Sequence, residues 1–399
     1  MSNADHRPNL LDVLRDEGLD GLVRALAGDA GLHRALIRYG RATLVAAASD
    51  EVALIWARMY LEPILDLEPA PEGEPARFAA VFVPGDVLGD LVAALPWDGG
   101  ERLIHFAKTA RVAHIPGYTC VHDTVSAMLY LVEAATGRVV SIGAATGVNF
   151  RDLARQCREL LLGDLLADGW LVLHASAVAR DGRAWIFAGD KGSGKTTLAL
   201  KLLGADLGFG YLANDRLLAR VNADGAVQIK PYAMSVRLGG ATARNHPRLR
   251  PHLHYFDHFE ASILPLERQF IHEDKLELTV GEYASIVGFD VAGEAVLDRV
   301  VLPTMDFTDP ATEVNITAPN PQQAFDLLLG SVLIPDPDGT SWLRELTGAK
   351  DELTDAMQRT VQAMAATGAA RLRGGPDAII AALLTAHAAP TAPADAEDA

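Results

Sequence analysis

Three of the chain's seven lysines, Lys191, Lys195 and Lys201, fall in one stretch, FAGDKGSGKTTLALKLL, from Phe187 to Leu203. The octet Gly189 to Thr196 fits the phosphate-loop (Walker A) spacing of Gly, four residues, Gly-Lys and then Ser or Thr. Gly189, Gly192 and Gly194 admit backbone conformations and close approaches that a side chain would forbid. The amides of Asp190, Lys191, Ser193 and Thr197 and of the motif residues around them can then converge on one polyphosphate. Lys195 would neutralise β- and γ-phosphate charge and Thr196 would offer its hydroxyl to Mg²⁺, while the start of the following helix adds partial positive charge. The chemistry expected is the binding of ATP with Mg²⁺; the plain alternative is a Gly-rich turn that binds nothing.

Other residues could join that chemistry. Asp215 ends the apolar run FGYLAN and can hold Mg²⁺ beside Thr196 or accept a proton as general base, with a simple turn residue as the competing reading. His174 stands in an apolar stretch ahead of the loop and could polarise a phosphate or shuttle a proton, or be a satisfied core histidine. Lys191 adds charge within the loop, for phosphate or for solvent. His246, His252, His254 and His258 lie among Arg244, Arg248 and Arg250, the most basic segment of the chain. Their spacing matches no zinc pattern and no cysteine joins them, so they read as a lid over substrate or a solvated loop. Arg371, Arg373 and Gly374-Gly375 read as structural turn residues.

These residues need particular elements to position them. Trp185 to Ala188 reads as a buried strand entering the loop, and the helix leaving it places Leu198, Leu202 and Leu203 toward a core. Strands at Trp170 to Ala179 and Ala184 to Ala188 flank Arg180-Asp181-Gly182-Arg183, so a β-hairpin delivers the loop. Parallel phosphate-loop folds usually arrive through a βαβ unit instead. Phe209 to Arg220 reads as strand, turn and strand around Asp215, and further strands are expected at Ala226 to Leu238, Lys275 to Leu278 and Val300 to Leu302. Helices are expected at Gln322 to Leu333 and Asp351 to Ala366, before ARLRGG and PDAIIAALLTAHA close the chain.

Upstream, the leucine spacing from Leu10 to Leu65 predicts helix in two or three pieces, and Leu67 to Arg77 reads as a loop. Short strands are expected in ARFAAVFV, TARVAHI and GRVVSIG, with helix in VSAMLYLVEAA. The amphipathic helix from Asn149 to Ala167 opens a second unit. The expected organisation is an α+β module over residues 1–148, an α/β phosphate-loop domain over 149–387 and a disordered tail over 388–399.

A net charge of −17 and a pI near 5.1 argue against nucleic acid or anionic membrane as general partners. Cys120 and Cys157 give no metal spacing and no disulfide framework. Without a basic leader or a long apolar run, a cytoplasmic protein is expected.

The stretch LVLHASAVARDGRAWIFAGDKGSGKTTLALKLL with GYLANDRLLAR resembles the catalytic domain of HPr kinase/phosphorylase, and more closely the HPr-kinase-related proteins of bacterial peptide-modification clusters. The resemblance spans about residues 155–385 and is strongest from Leu171 to Arg220. It implies a fold akin to phosphoenolpyruvate carboxykinase and an ATP- and Mg²⁺-dependent kinase acting on a Ser hydroxyl of a protein or peptide encoded nearby, in a possible homo-oligomer. It aligns His174, Gly189 to Thr196 and Asn214-Asp215 with the family's His, phosphate loop and acidic pair. Asn214 stands where that pair usually begins with Asp, and Lys191 where the loop often carries Ser. Two other readings stay open: a nucleotide-gated binding or assembly module, and a carboxykinase-like enzyme on a small acid.

Overall fold

The computed structural model describes residues 9–28, 31–85, 88–105, 108–205, 207–252, 275–306, 312–334 and 352–388. They form a mixed α/β structure in two compact units, the first Met1–Trp170 with Ile334–Leu353 and the second Leu171–Leu333 with Thr354–Ala399.

The first unit contains α1 (Leu10–Ala27), β1 (His33–Tyr39), β2 (Ala42–Ala48), α2 (Glu51–Leu61), β3 (Leu67–Pro69), β4 (Phe78–Pro84), α3 (Leu88–Ala94), β5 (Arg102–His105), β6 (Lys108–Ile115), β7 (Tyr118–Asp123), β8 (Met128–Glu133), β9 (Arg138–Gly143) and α4 (Gly147–Ala167). Its nine strands make one sheet in the order β3-β1-β2-β4-β9-β8-β7-β6-β5, parallel at β2–β4 and β4–β9 and antiparallel elsewhere. Leu14 and Leu22 of α1 and Leu91 of α3 pack with Val81, Leu129 and Val140 of the sheet. Helix α4 also packs on this sheet: Gln156 donates to Ser141 Oγ at 2.9 Å, and Phe150 meets Phe82 edge-on at 5.6 Å. That packing puts α4 in the first unit, so the second begins at Leu171 rather than at residue 149.

Two stretches expected as helix are strands. His33–Ala48 is the β1–β2 hairpin, turning at Gly40 with φ +64°, after Gly28 at φ +60° has ended α1. Strand β2 is buried at nearly every position, so it lacks the alternation that marks a half-exposed strand. Met128–Glu133 is likewise almost wholly buried as β8, and it turns into β9 at Gly137. A Cβ at Gly137 would lie 2.8 Å from Arg77 O, so the turn requires glycine.

The second unit contains β10 (Leu171–Leu173), β11 (Ala175–Arg180), β12 (Arg183–Ala188), α5 (Lys195–Leu203), β13 (Gly210–Ala213), β14 (Leu217–Val221), β15 (Val227–Pro231), β16 (Val236–Gly239), α6 (Gly240–Asn245), β17 (Lys275–Leu278), α7 (Val280–Val287), β18 (Ala295–Met305), β19 (Asn315–Thr317), α8 (Pro321–Leu329), α9 (Asp355–Ala366), β20 (Ala369–Gly374) and α10 (Pro376–Ala388). The main sheet runs β10-β14-β15-β18-β12-β11-β13, with β20 on β18 and β19 on β20. The hairpin β11–β12 forms as expected, paired from Ala175↔Ala188 to Arg180↔Arg183. On its other edge β12 lies parallel to β18. Arg371, Arg373 and Gly374 lie in strand β20, parallel to β18, rather than in a turn, and Gly375 follows the strand. Expected residues His254 and His258 lie outside the described ones, as does the tail beyond α10.

Candidate functional site: a phosphate loop at the strand ends

Because β11 is antiparallel to both β12 and β13, the latter two point the same way, and the carboxyl ends of β12, β13 and β18 share one edge with the start of β11. The loop Gly189 to Gly194 leaves β12 at that edge. Gly189, Gly192 and Gly194 have φ of +137°, +84° and +103°, a region that side chains rarely enter. At Gly194 an added Cβ would lie 2.3 Å from Met305 Sδ at the end of β18, so the Met305 side chain would have to shift to admit one. Met305 N–H donates to Ser193 O at 3.1 Å and ties the loop to β18.

The start of α5, like that of α6 after Gly239, lacks the side-chain cap that six other helices of the chain carry. Asn9, Asp50, Thr146, Thr279, Asn320 and Thr354 each cap a helix by accepting from a first-turn amide. Helix α5 begins at Gly194 with no side-chain cap. Its first amides are therefore not taken up by a capping side chain. Lys195, only 7% exposed, donates from Nζ to Gly189 O at 2.7 Å and Asp190 O at 2.9 Å, which holds the ammonium inside the curve of the loop. Ser193 Oγ is buried with no hydrogen-bond partner, in a position that a ligand oxygen could satisfy. The helix itself is anchored by Leu198 and Leu202, fully buried, each contributing about 1.5–3 kcal/mol.

Behind the loop lies a hydroxyl-amide cluster. Thr196 Oγ1 donates to Asn214 Oδ1 at 2.9 Å, and Ser176 Oγ donates to the same oxygen at 3.1 Å. Asn214 and Ser176 are buried. With its proton committed to Asn214, the Thr196 hydroxyl keeps lone pairs for a cation, which fits Mg²⁺ held by one hydroxyl and the phosphate oxygens of a nucleotide. Beside this cluster, His174 Nε2 stands 3.5 Å from Asp215 Oδ1, both side chains about one-third exposed. His174 occupies the break between β10 and β11, with its N–H donated to Ser331 O at 2.7 Å.

A scan against protein-family models finds no match, and neither does a search of the curated proteins. What the site does must be read from its residues and their geometry.

The structure brings together Lys195, Thr196, Asn214, Asp215 and His174, drawn from positions up to 41 residues apart in sequence. Ser176 and Met305 also belong to the site, and sequence reasoning missed both. Ser176 left one signal, a hydroxyl in the otherwise apolar ASAVA; Met305 left none. His246 and Arg248 of the basic segment lie elsewhere. His246 Nε2 would meet a Cβ on Gly204 at 3.4 Å, and Gly204 caps the far end of α5. Arg248 bonds to Val287 O on α7. These side chains therefore do not cover the phosphate loop. Among the described residues no group of three or more His, Cys, Asp or Glu is placed to hold a metal.

A cleft of about 800 Å³ opens at the opposite ends of the same strands, lined by Arg180, Asp181, Gly208, Phe209, Asp290 and Glu294. Three carboxylates among those residues suit it poorly to a polyphosphate.

Proposed function

We propose that this chain is an ATP- and Mg²⁺-dependent phosphotransferase with an HPr-kinase-like, phosphoenolpyruvate-carboxykinase-like catalytic unit, phosphorylating a hydroxyl of a protein or peptide. The observation that carries this reading is the convergence on one strand edge of a phosphate loop delivered by a hairpin, the Thr196–Asn214 contact and the His174–Asp215 pair. A loop that only grips phosphate does not need the last of these.

Each part has a physical role. Lys195 and the uncapped amides of α5 would bind the β- and γ-phosphates, and Mg²⁺ when bound would draw charge off the transferred group. Thr196 would hold that metal together with phosphate oxygens. Asp215 would orient the His174 imidazole, and the pair would receive the acceptor hydroxyl's proton. This division resolves how one carboxylate can serve, since His174 shares the proton step and leaves the metal to Thr196 and the phosphates.

Asn214 favours a second reading, a nucleotide-gated binding module, because a neutral residue stands where a second carboxylate would assist turnover. Radiolabelled ATP with Mg²⁺ and a candidate Ser-bearing partner separates the two. The kinase reading expects transfer of label that disappears in Lys195→Ala. Transfer that persists in Lys195→Ala would remove the loop from the reaction, and partner binding that requires ATP without any transfer would favour the switch.

A further inference from the structure

Asn214 Oδ1 accepts from two hydroxyls, Thr196 Oγ1 at 2.9 Å and Ser176 Oγ at 3.1 Å, and the residue is 5% exposed. An amide oxygen has two lone pairs, so this acceptor is saturated. It holds the Thr196 hydroxyl in one rotamer as a carboxylate would, but brings no charge. A carboxylate there would stand, buried, directly behind the phosphates. It would repel a bare polyphosphate and draw in a divalent cation to relieve that repulsion.

Charged groups of the site among the described residues include Lys195 within the loop, Lys191 and Asp190 on its exposed rim, and Asp215, which faces His174 at 3.5 Å. The carboxylate of Asp215 is thus turned to an imidazole. Among the described residues, the hydrogen bond shown for the Thr196 hydroxyl is to the neutral Asn214 oxygen.

Resting on the nucleotide reading above, we propose that Asn214 is a positioning residue that frees nucleotide binding from divalent cation. It orders Thr196 through a neutral acceptor, so the triphosphate is held by Lys195 and backbone amides almost equally with and without metal. Mg²⁺ serves the transfer step rather than the capture of nucleotide.

The test is the dissociation constant of a fluorescent ATP analogue for the full-length chain, measured with excess Mg²⁺ and with excess chelator. The ratio of the two constants is the readout. In the unaltered protein the ratio should stay within a few-fold of unity, and Asn214→Asp should raise it about tenfold or more, chiefly by weakening the metal-free complex. Asn214→Ala, which removes the acceptor without adding charge, should weaken binding in both conditions and leave the ratio unchanged. A purely structural role for Asn214 would not move that ratio in Asn214→Asp.

Strong metal dependence in the unaltered protein, an unchanged ratio in Asn214→Asp, or a raised ratio in Asn214→Ala would each overturn the proposal. Absence of nucleotide binding in both conditions would instead refute the nucleotide reading, and the proposal with it. Should Asn214→Asp fail to fold, Ser176→Asp places a carboxylate at the same cluster and should raise the ratio likewise.

Discussion

Asp215 has a backbone φ of +70°, the left-handed region that Asp and Asn tolerate better than other side chains. Its replacement can therefore be chosen to spare the backbone. Asp215→Asn keeps the tolerated conformation and removes only the charge that faces His174. We expect label transfer to fall about 10²- to 10⁴-fold with nucleotide affinity nearly unchanged, measured by initial rates beside equilibrium binding. At this scale the sequence was informative wherever chemistry is local: the residues from Gly189 to Thr196 are contiguous, so spacing alone revealed them. The Ser176–Asn214 bond was hidden, because 38 residues separate its ends and only the β11–β13 pairing joins them.

Elements decide whether those residues meet. Gly194 couples two of them, since it begins α5 while its missing side chain makes room for Met305 of β18. Gly194→Ala should cost about 1–2 kcal/mol from the positive φ alone, with further loss from the clash at Met305. Urea denaturation should show a lowered midpoint, and nucleotide should restore less stability than it gives the unaltered chain. The hairpin into the loop was legible from Arg180-Asp181-Gly182-Arg183, a turn signal between apolar runs. Strands β2 and β8 were not, because near-complete burial erases the alternation that separates strand from helix in a short apolar run. Helix α4 was read correctly as a helix and assigned to the wrong neighbour, since an amphipathic pattern says that a face is buried and not against what.

For the molecule as a whole, each unit brings together residues that no local pattern could pair, and the interior of the first sets the chain's thiol chemistry. Cys120 and Cys157 are fully buried; burial pushes the Cys120 thiol up to about 12 and Cys157 upward as well, so neither is a thiolate near neutrality. The folded chain should therefore resist a soluble thiol reagent at mildly alkaline pH and take up two equivalents once denatured, as intact-mass measurement would report. Rapid labelling of either thiol in the folded state would contradict this interior. The break at His174 carries a different consequence. Strands β10 and β11 are separated by that one residue, yet β10 lies at one end of the sheet order and β11 next to the other. Strands β11, β12, β18, β15, β14 and β10 thus form a ring whose last link is a covalent bond rather than a ladder. A ring closed in that way resists spreading more than an open sheet does, and its shortest ladder is the two-pair link of β15 to β18. The frame that places His174 beside Asp215 is thereby tied by the chain at one point and by ladders at the others.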